Sequence, residues 1–181
     1  MTTAMASRPR LVPNKSFPAY AYLPGRRPHP VRDPGGHSYG SHPPAVAAET
    51  ALSSEPFQWG IDLFNHGYYW EAHEAWEGLW QAARPTPQHR LLFKGLILLA
   101  ATGVKLREGK PAAAARHAGR AAKALRQVPV GPNRMFERAL GLPPAVLAEQ
   151  GEAEVRSTAF KPASLPGQPE PAFNFVLVPT A

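Results

Sequence analysis

The sequence predicts an all-α fold, a small antiparallel helical bundle built from two helical hairpins, with a long proline-rich N-terminal arm and an extended C-terminal tail. Two observations support this fold class. In the central part of the 181-residue chain, apolar residues recur with the spacing of amphipathic helices. The prolines avoid that part, since nine of the 22 fall in residues 1–50 and only three in residues 57–128. Because proline interrupts helices, the ends are expected to be arms around a helical body.

Composition divides the chain into three segments. Residues 1–50 form a basic arm rich in proline, glycine and histidine, residues 51–151 form the helical bundle domain, and residues 152–181 form an extended or disordered tail. The apolar run at residues 173–178 could pair with the body or dock on it. Because the other two segments are an arm and a tail, a function is expected in the bundle domain.

Four main helices are expected in that domain, over residues 57–66, 68–83, 88–107 and about 111–128. Gly67 breaks the first hairpin, and the third helix is apolar on nearly every side, which marks it as the central buried element. Its Gly95 would allow a neighbouring helix to pack closely. A shorter helical segment or pair is expected in residues 133–150, interrupted at Gly141 and Pro143.

Several classes of function are excluded or disfavoured. The chain has no cysteine, so it holds no disulfide, thiolate metal site or cysteine nucleophile. The sequence also lacks the glycine motifs of nucleotide-binding folds and the serine hydrolase elbow. The most apolar run, residues 91–101, is broken by Lys94 and is too short to span a bilayer. A cytoplasmic protein without membrane association is therefore expected.

The second helix is unusual, because residues 67–80 combine three glutamates, one histidine and three tryptophans. Steps of about 100° per residue place one apolar stripe toward the core. The stripe consists of Tyr69, Ala72, Trp76, Leu79, Trp80 and Ala83. His73 lies at its edge, with Glu77 one turn further along. Glu74 lies on the adjoining flank, whereas Glu71 points more nearly to the back.

This geometry lets His73, Glu74 and Glu77 converge into one polar site. Neutral imidazole and carboxylate both ligate divalent metals, and a carboxylate whose pKa is raised by burial can act as a general acid or base. His73 and Glu77 are the candidate metal ligands, and Glu74 is the candidate catalytic base of a metal-assisted hydrolase. The candidate ligand-binding residues are Glu71, His73, Glu77, Arg90, Trp70 and Trp80.

The same residues also fit a structural ion network. A partly buried glutamate commonly pairs with an arginine on the neighbouring helix, and Arg90 is the obvious partner for Glu77. The spacing also differs from the His-Glu-x-x-His helix of metalloproteases, because Glu77 stands where the second histidine is required.

A known family has a similar pattern in residues 64–77, Phe-Asn-His-Gly-Tyr-Tyr-Trp-Glu-Ala-His-Glu-Ala-Trp-Glu, and in Phe-Lys-Gly-Leu-Ile-Leu-Leu-Ala-Ala at 93–101. The chain resembles the small all-helical family catalogued as domain of unknown function 309, over roughly residues 55–128. The resemblance implies an antiparallel helical bundle and assigns no activity. The family pattern carries over to Glu71, His73, Glu74, Glu77, Trp80, Arg90 and Gly95. Lys94 and Val104 depart from this pattern. The family usually shows glutamine where this chain has Lys94, and the positive charge of Lys94 would weaken a metal centre.

The arm contains three histidines, His29, His37 and His42, among prolines and glycines. Three histidines suggest a metal site, but such a flexible segment would be poorly preorganised for one. In the alternative arrangement, the arm folds over the second helix, which carries the glutamates and His73, and brings His37 to it.

Charge suggests a rival function. The net charge is +7, and there is no acidic residue between Glu108 and Glu137. Arg116, Arg120 and Lys123 line one face of the fourth helix and could bind nucleic acid or another polyanion. The face carries no aromatic residue to stack on bases, and a solvated helix surface explains it equally well.

A ligand-binding or interaction module is the leading interpretation of these patterns, with metal-dependent hydrolysis and polyanion binding as alternatives. The sequence leaves open whether the protein is an enzyme. The cofactor is unknown, and a divalent metal is the candidate. The partner is unknown, and the tryptophan-rich faces are compatible with a core or with a homodimer contact.

Overall fold

The computed structural model describes residues 7–42, 45–157, 162–163 and 165–181. Within these ranges all regular structure is helical, which confirms the predicted all-α class. The six α-helices are α1 (Glu55–Asn65), α2 (Tyr69–Ala82), α3 (Pro87–Arg107), α4 (Pro111–Arg126), α5 (Met135–Leu140) and α6 (Pro144–Arg156). Short 3₁₀ segments occupy Ala48–Ser53 and Pro132–Arg134.

The bundle is built from two hairpins, α1 with α2 and α3 with α4, joined by packing of α2 against α3. Short connections make consecutive helices antiparallel. Helix α6 packs on the other side of α4. Helix α3 lies between α2 and α4, and its buried residues include Phe93, Leu96 and Leu99. This arrangement confirms the predicted bundle with α3 as its central element.

The ends of the helices follow local signals. Ser54 caps α1 by accepting a hydrogen bond from the backbone N–H of Phe57 at 3.3 Å. Gly67 ends the α1–α2 turn with φ +87°, and a Cβ there would clash with the backbone of Glu170. The predicted pair of short helices is present as α5 and α6, but α6 continues to Arg156 rather than ending near Gln150.

Gly95 allows the close contact between α3 and α4 that its position predicts. A Cβ at this residue would lie 2.6 Å from the side chain of Leu125 on α4. Leu125 is fully buried, so it has little room to move. A glycine is therefore required for the observed spacing of the two helices.

The N-terminal arm is held against the bundle by a buried carboxylate of α1. Asp62 is 0% exposed and accepts hydrogen bonds from the backbone N–H groups of Leu11 at 2.7 Å and Val12 at 2.9 Å. The guanidinium of Arg10 lies 3.2 Å from the same carboxylate. Further along the arm, Tyr22 and its neighbours at 20–23 are buried. The arm is thus a packed layer of the protein.

The C-terminal tail is extended and docks on α1. The side-chain amide of Asn65 donates to the carbonyl of Leu177 at 2.7 Å and accepts from the backbone N–H of Leu177 at 2.9 Å. Phe173 and Leu177 are buried in the same hydrophobic core as the helices. The apolar run at 173–178 therefore docks on the body.

No helix within the described part of the chain combines the length and the apolar character that crossing a membrane requires.

Candidate functional site

Helix α2 brings the three candidate metal ligands together on one flank. One ligand atom each from His73, Glu74 and Glu77 lies within 4.8 Å of the others, and the three side chains are half-buried. We call these three residues the Glu/His cluster. Nδ1 of His73 lies 3.3 Å from Oε1 of Glu74, and no group among the described residues forms a hydrogen bond with this buried nitrogen. The lone pair or proton of that nitrogen is therefore free to engage another group.

A small pocket of about 130 Å³ adjoins the Glu/His cluster between α2 and α3. Its lining combines His73, Glu77 and Trp80 with Lys94, Ile97 and Leu98. Lys94 thus lies beside the candidate site, and its positive charge opposes cation binding there.

Arg90 contacts a different partner from the one predicted. Its guanidinium lies 4.2 Å from the centroid of the Trp80 ring, a cation–π contact, and it forms no ion pair with Glu77. The antiparallel course of α2 and α3 explains this pairing, because it sets the first turn of α3 beside the last turn of α2. Lys94, one turn later, reaches the level of Glu77. The predicted Glu77–Arg90 pair was therefore wrong.

Glu71 is covered, although its helix position suggested the back of α2. Only 5% of the residue is exposed, because the N-terminal arm lies over it. Its Oε1 accepts hydrogen bonds from the backbone N–H of Tyr22 at 2.9 Å and from Nε2 of His37 at 3.0 Å. Its Oε2 is buried, and no donor among the described residues reaches it.

The arm and the first hairpin line a second, larger cavity of about 540 Å³ beside Glu71, which is partly open to solvent. Trp59 of α1 and Trp70 of α2 form part of its wall, and Glu74 also lines it. Trp70 packs edge-on against Tyr22 at 5.2 Å and against His29 at 5.3 Å between ring centroids. The sequence alone did not indicate this cavity, since the residues on its two sides lie far apart in the chain.

The three arm histidines make separate contacts and form no common metal group among the described residues. Nδ1 of His29 accepts from the backbone N–H groups of Val31 and Arg32 at 3.3 Å each. His42 donates to the carbonyl of Gly40 at 2.9 Å. His37 hydrogen bonds to Glu71 of α2, and His29 packs against Trp70 of α2, so the observed arrangement is the one in which the arm folds over this helix.

The basic side chains of α4 lie where the helical pattern places them. Arg116, Arg120 and Lys123 are exposed. Arg126, at the end of the same helix, pairs with Glu152 of α6 at 2.5 Å. Polyanion binding by the three exposed residues stays a prediction.

Comparison with models of protein families gives one match. Residues 57–117, which run from α1 into α4, match the family described as "Domain of unknown function (DUF309)". No curated protein and no solved structure matches the chain. The match includes the Glu/His cluster and excludes the arm that covers Glu71. The predicted resemblance to this family is thereby confirmed for residues 57–117.

Proposed function

We propose that the protein binds a divalent metal ion at the Glu/His cluster. One observation carries this proposal, the approach of one ligand atom from each of His73, Glu74 and Glu77 to within 4.8 Å of the others. A metal bound at about 2.0–2.2 Å from nitrogen and oxygen ligands holds those ligands about 3–3.5 Å apart. Small side-chain rotations on one helix would close the remaining gap.

The donor set is suited to such an ion. His73 supplies an imidazole nitrogen, Nδ1, that receives no hydrogen bond from the described residues, and the two carboxylates supply oxygen and negative charge. Three protein ligands leave coordination positions open, as in catalytic and exchangeable zinc sites. The adjoining pocket of about 130 Å³ has room for a water molecule or a small ligand at those positions.

Binding is better supported than hydrolysis. In a hydrolase with His73 and Glu77 as ligands, Glu74 would act as the base and only two protein ligands would hold the metal. The position of Glu74 within the cluster instead supports its role as the third ligand. Glu74→Gln separates the two roles, because loss of a ligand weakens metal binding, whereas loss of a base removes turnover and leaves the metal in place.

The test is titration of the chelator-treated full chain with Zn²⁺ and Mn²⁺ in a calorimeter. We expect one ion per chain and loss of binding in His73→Ala, with unchanged helical circular dichroism. His42→Ala is the matched control, because His42 is exposed and its ring nitrogen donates only to a neighbouring carbonyl. Stoichiometric binding that survives in His73→Ala would contradict the proposal.

A further inference from the structure

We infer that the cavity between the N-terminal arm and the first hairpin binds an organic ammonium ion, a small molecule with a protonated primary amine and an apolar or aromatic portion. The cavity of about 540 Å³ falls in the range of roughly 300–1,000 Å³ that is usual for small-molecule sites. The cavity and the metal site share Glu74, but Glu71 and His73, two residues apart on α2, differ by about 200° around the helix, so each site can be altered separately.

Glu71 is the anchor of the proposed site. It lines the cavity, it is 95% buried by the arm, and its Oε1 is already occupied by Tyr22 and His37. Its Oε2 lacks a donor among the residues that the structure describes. A buried carboxylate oxygen without a donor is unfavourable. A ligand whose N–H group reached this oxygen would satisfy it, and an ammonium group would also supply the opposite charge.

The charge of the lining favours a cation. The lining contains one ammonium, that of Lys15, and three carboxylates, those of Glu55, Glu71 and Glu74. When its histidines are neutral, the wall therefore carries two more negative charges than positive charges. Lys15 lies 3.5 Å from Glu55, which leaves the other two carboxylates without a lysine or arginine partner among the described residues. An anionic ligand would meet repulsion on this wall.

Two tryptophans give the wall its affinity for an apolar cation. Trp59 and Trp70 both line the cavity. The Lys15 ammonium lies 5.0 Å and the Arg10 guanidinium 5.6 Å from the centroid of the Trp59 ring, so this ring already faces two cations. Indole faces attract ammonium groups and also pack against apolar groups. The combination of indole rings with a buried carboxylate selects a ligand that has both a charged and an apolar part.

The experiment uses the full chain and three probes, 2-phenylethylamine, its trimethylammonium analogue and 2-phenylethanol, followed by tryptophan fluorescence and calorimetry. We expect saturable one-to-one binding of the primary amine, at least about tenfold tighter than that of the alcohol. The trimethylammonium analogue keeps the charge but lacks an N–H donor, so it should bind more weakly than the amine. Zn²⁺ binding tested on the same sample reports separately on the metal site.

The variant Glu71→Gln should lower affinity for the amine by about tenfold or more and leave Zn²⁺ binding intact. Glu149→Gln makes the same charge change on the exposed surface of α6 and should have no effect. Should Glu71→Gln fail to fold, Trp70→Leu tests the same wall and should also weaken amine binding. Absence of saturable amine binding, equal binding of amine and alcohol, or an unchanged affinity in Glu71→Gln or Trp70→Leu would overturn the inference.

Discussion

Nε2 of His37 lies 3.0 Å from Oε1 of Glu71, so this contact links the proline-rich arm to α2 across 34 residues of the chain. Both side chains are almost fully buried, with 6% and 5% exposure. Because a carboxylate only accepts hydrogen bonds, Nε2 must carry the proton, and Nδ1 can then accept from Ser38 Oγ at 2.8 Å. The arrangement orders the arm over the cavity in which Glu71 is the anchor.

Replacing His37 by alanine should loosen the arm. Glu71 would lose one of its two donors while it stays buried, which costs about 1–3 kcal/mol of unfolding free energy. We expect faster amide hydrogen exchange in residues 20–40 and a lower free energy of unfolding in denaturant. His42→Ala is the control, since the exposed His42 hydrogen bonds only within the arm. Equal exchange rates in the two variants would show that His37 does not hold the arm.

Replacing Lys94 by glutamine should strengthen metal binding at the Glu/His cluster. Lys94 lines the pocket beside His73 and Glu77, and removing its charge lowers the electrostatic cost of bringing in a dication. Partial exposure screens the effect, so we expect an increase in affinity of about three- to tenfold, measured by calorimetry with Zn²⁺. Lys123→Gln removes the same charge from the exposed face of α4 and should change the affinity much less. An unchanged affinity in Lys94→Gln would argue against a metal at this site.

Acid should destabilise the protein through His117 on α4. Burial lowers the pKa of this imidazole, and neighbouring positive charges, above all Arg120, lower it further. An unfolded chain then binds a proton at a higher pH than the folded protein does. Stability is therefore full above the ordinary histidine pKa of about 6.5 and falls as the pH drops below it.

The measurement for His117 is the melting temperature of metal-free protein between pH 7.5 and pH 5.5. We expect a decrease on acidification that is smaller in His117→Gln, which cannot be protonated in this range. His89 contributes in the same direction, because burial also lowers its pKa. A melting temperature of the wild-type protein that rises toward pH 5.5 would contradict this sign.

The basic face of α4 should bind polyanions if it has a function beyond solubility. Its three cations are exposed, so the triple variant Arg116→Gln, Arg120→Gln and Lys123→Gln should keep its melting temperature. Binding to a single-stranded oligonucleotide should weaken, and the slope of log affinity against log salt should fall by about one per lost phosphate contact. Binding of the wild-type protein that does not depend on salt would exclude this function.

Sequence reasoning was most successful where the signal is local. The bounds of α2 and α3 follow from helical periodicity and from breakers such as Gly67 and Pro87. The Glu/His cluster could also be predicted, because Glu77 lies one helical turn from both His73 (i, i+4) and Glu74 (i, i+3), whatever the rest of the chain does. The role of Gly95 in close helix packing could be predicted, because a glycine inside an apolar helix leaves room for a neighbouring helix.

The features that sequence reasoning left open or predicted wrongly depend on the relative position of different segments. Arg90 lies against Trp80 because of the relative position of two helices, which no single-helix pattern encodes. The interaction of Asn65 with Leu177 spans 112 residues. Proline-rich segments carry no periodicity, so their path over the bundle has no local signature.

The sequence by itself determined the all-helical class, the two hairpins and the Glu/His cluster, because short-range spacing and helix breakers act within a few residues. Only the tertiary structure decided that the arm buries Glu71 and forms one side of a cavity beside Trp59 and Trp70. The physical reason is that burial of a polar group depends on which distant segment covers it and supplies its hydrogen bonds.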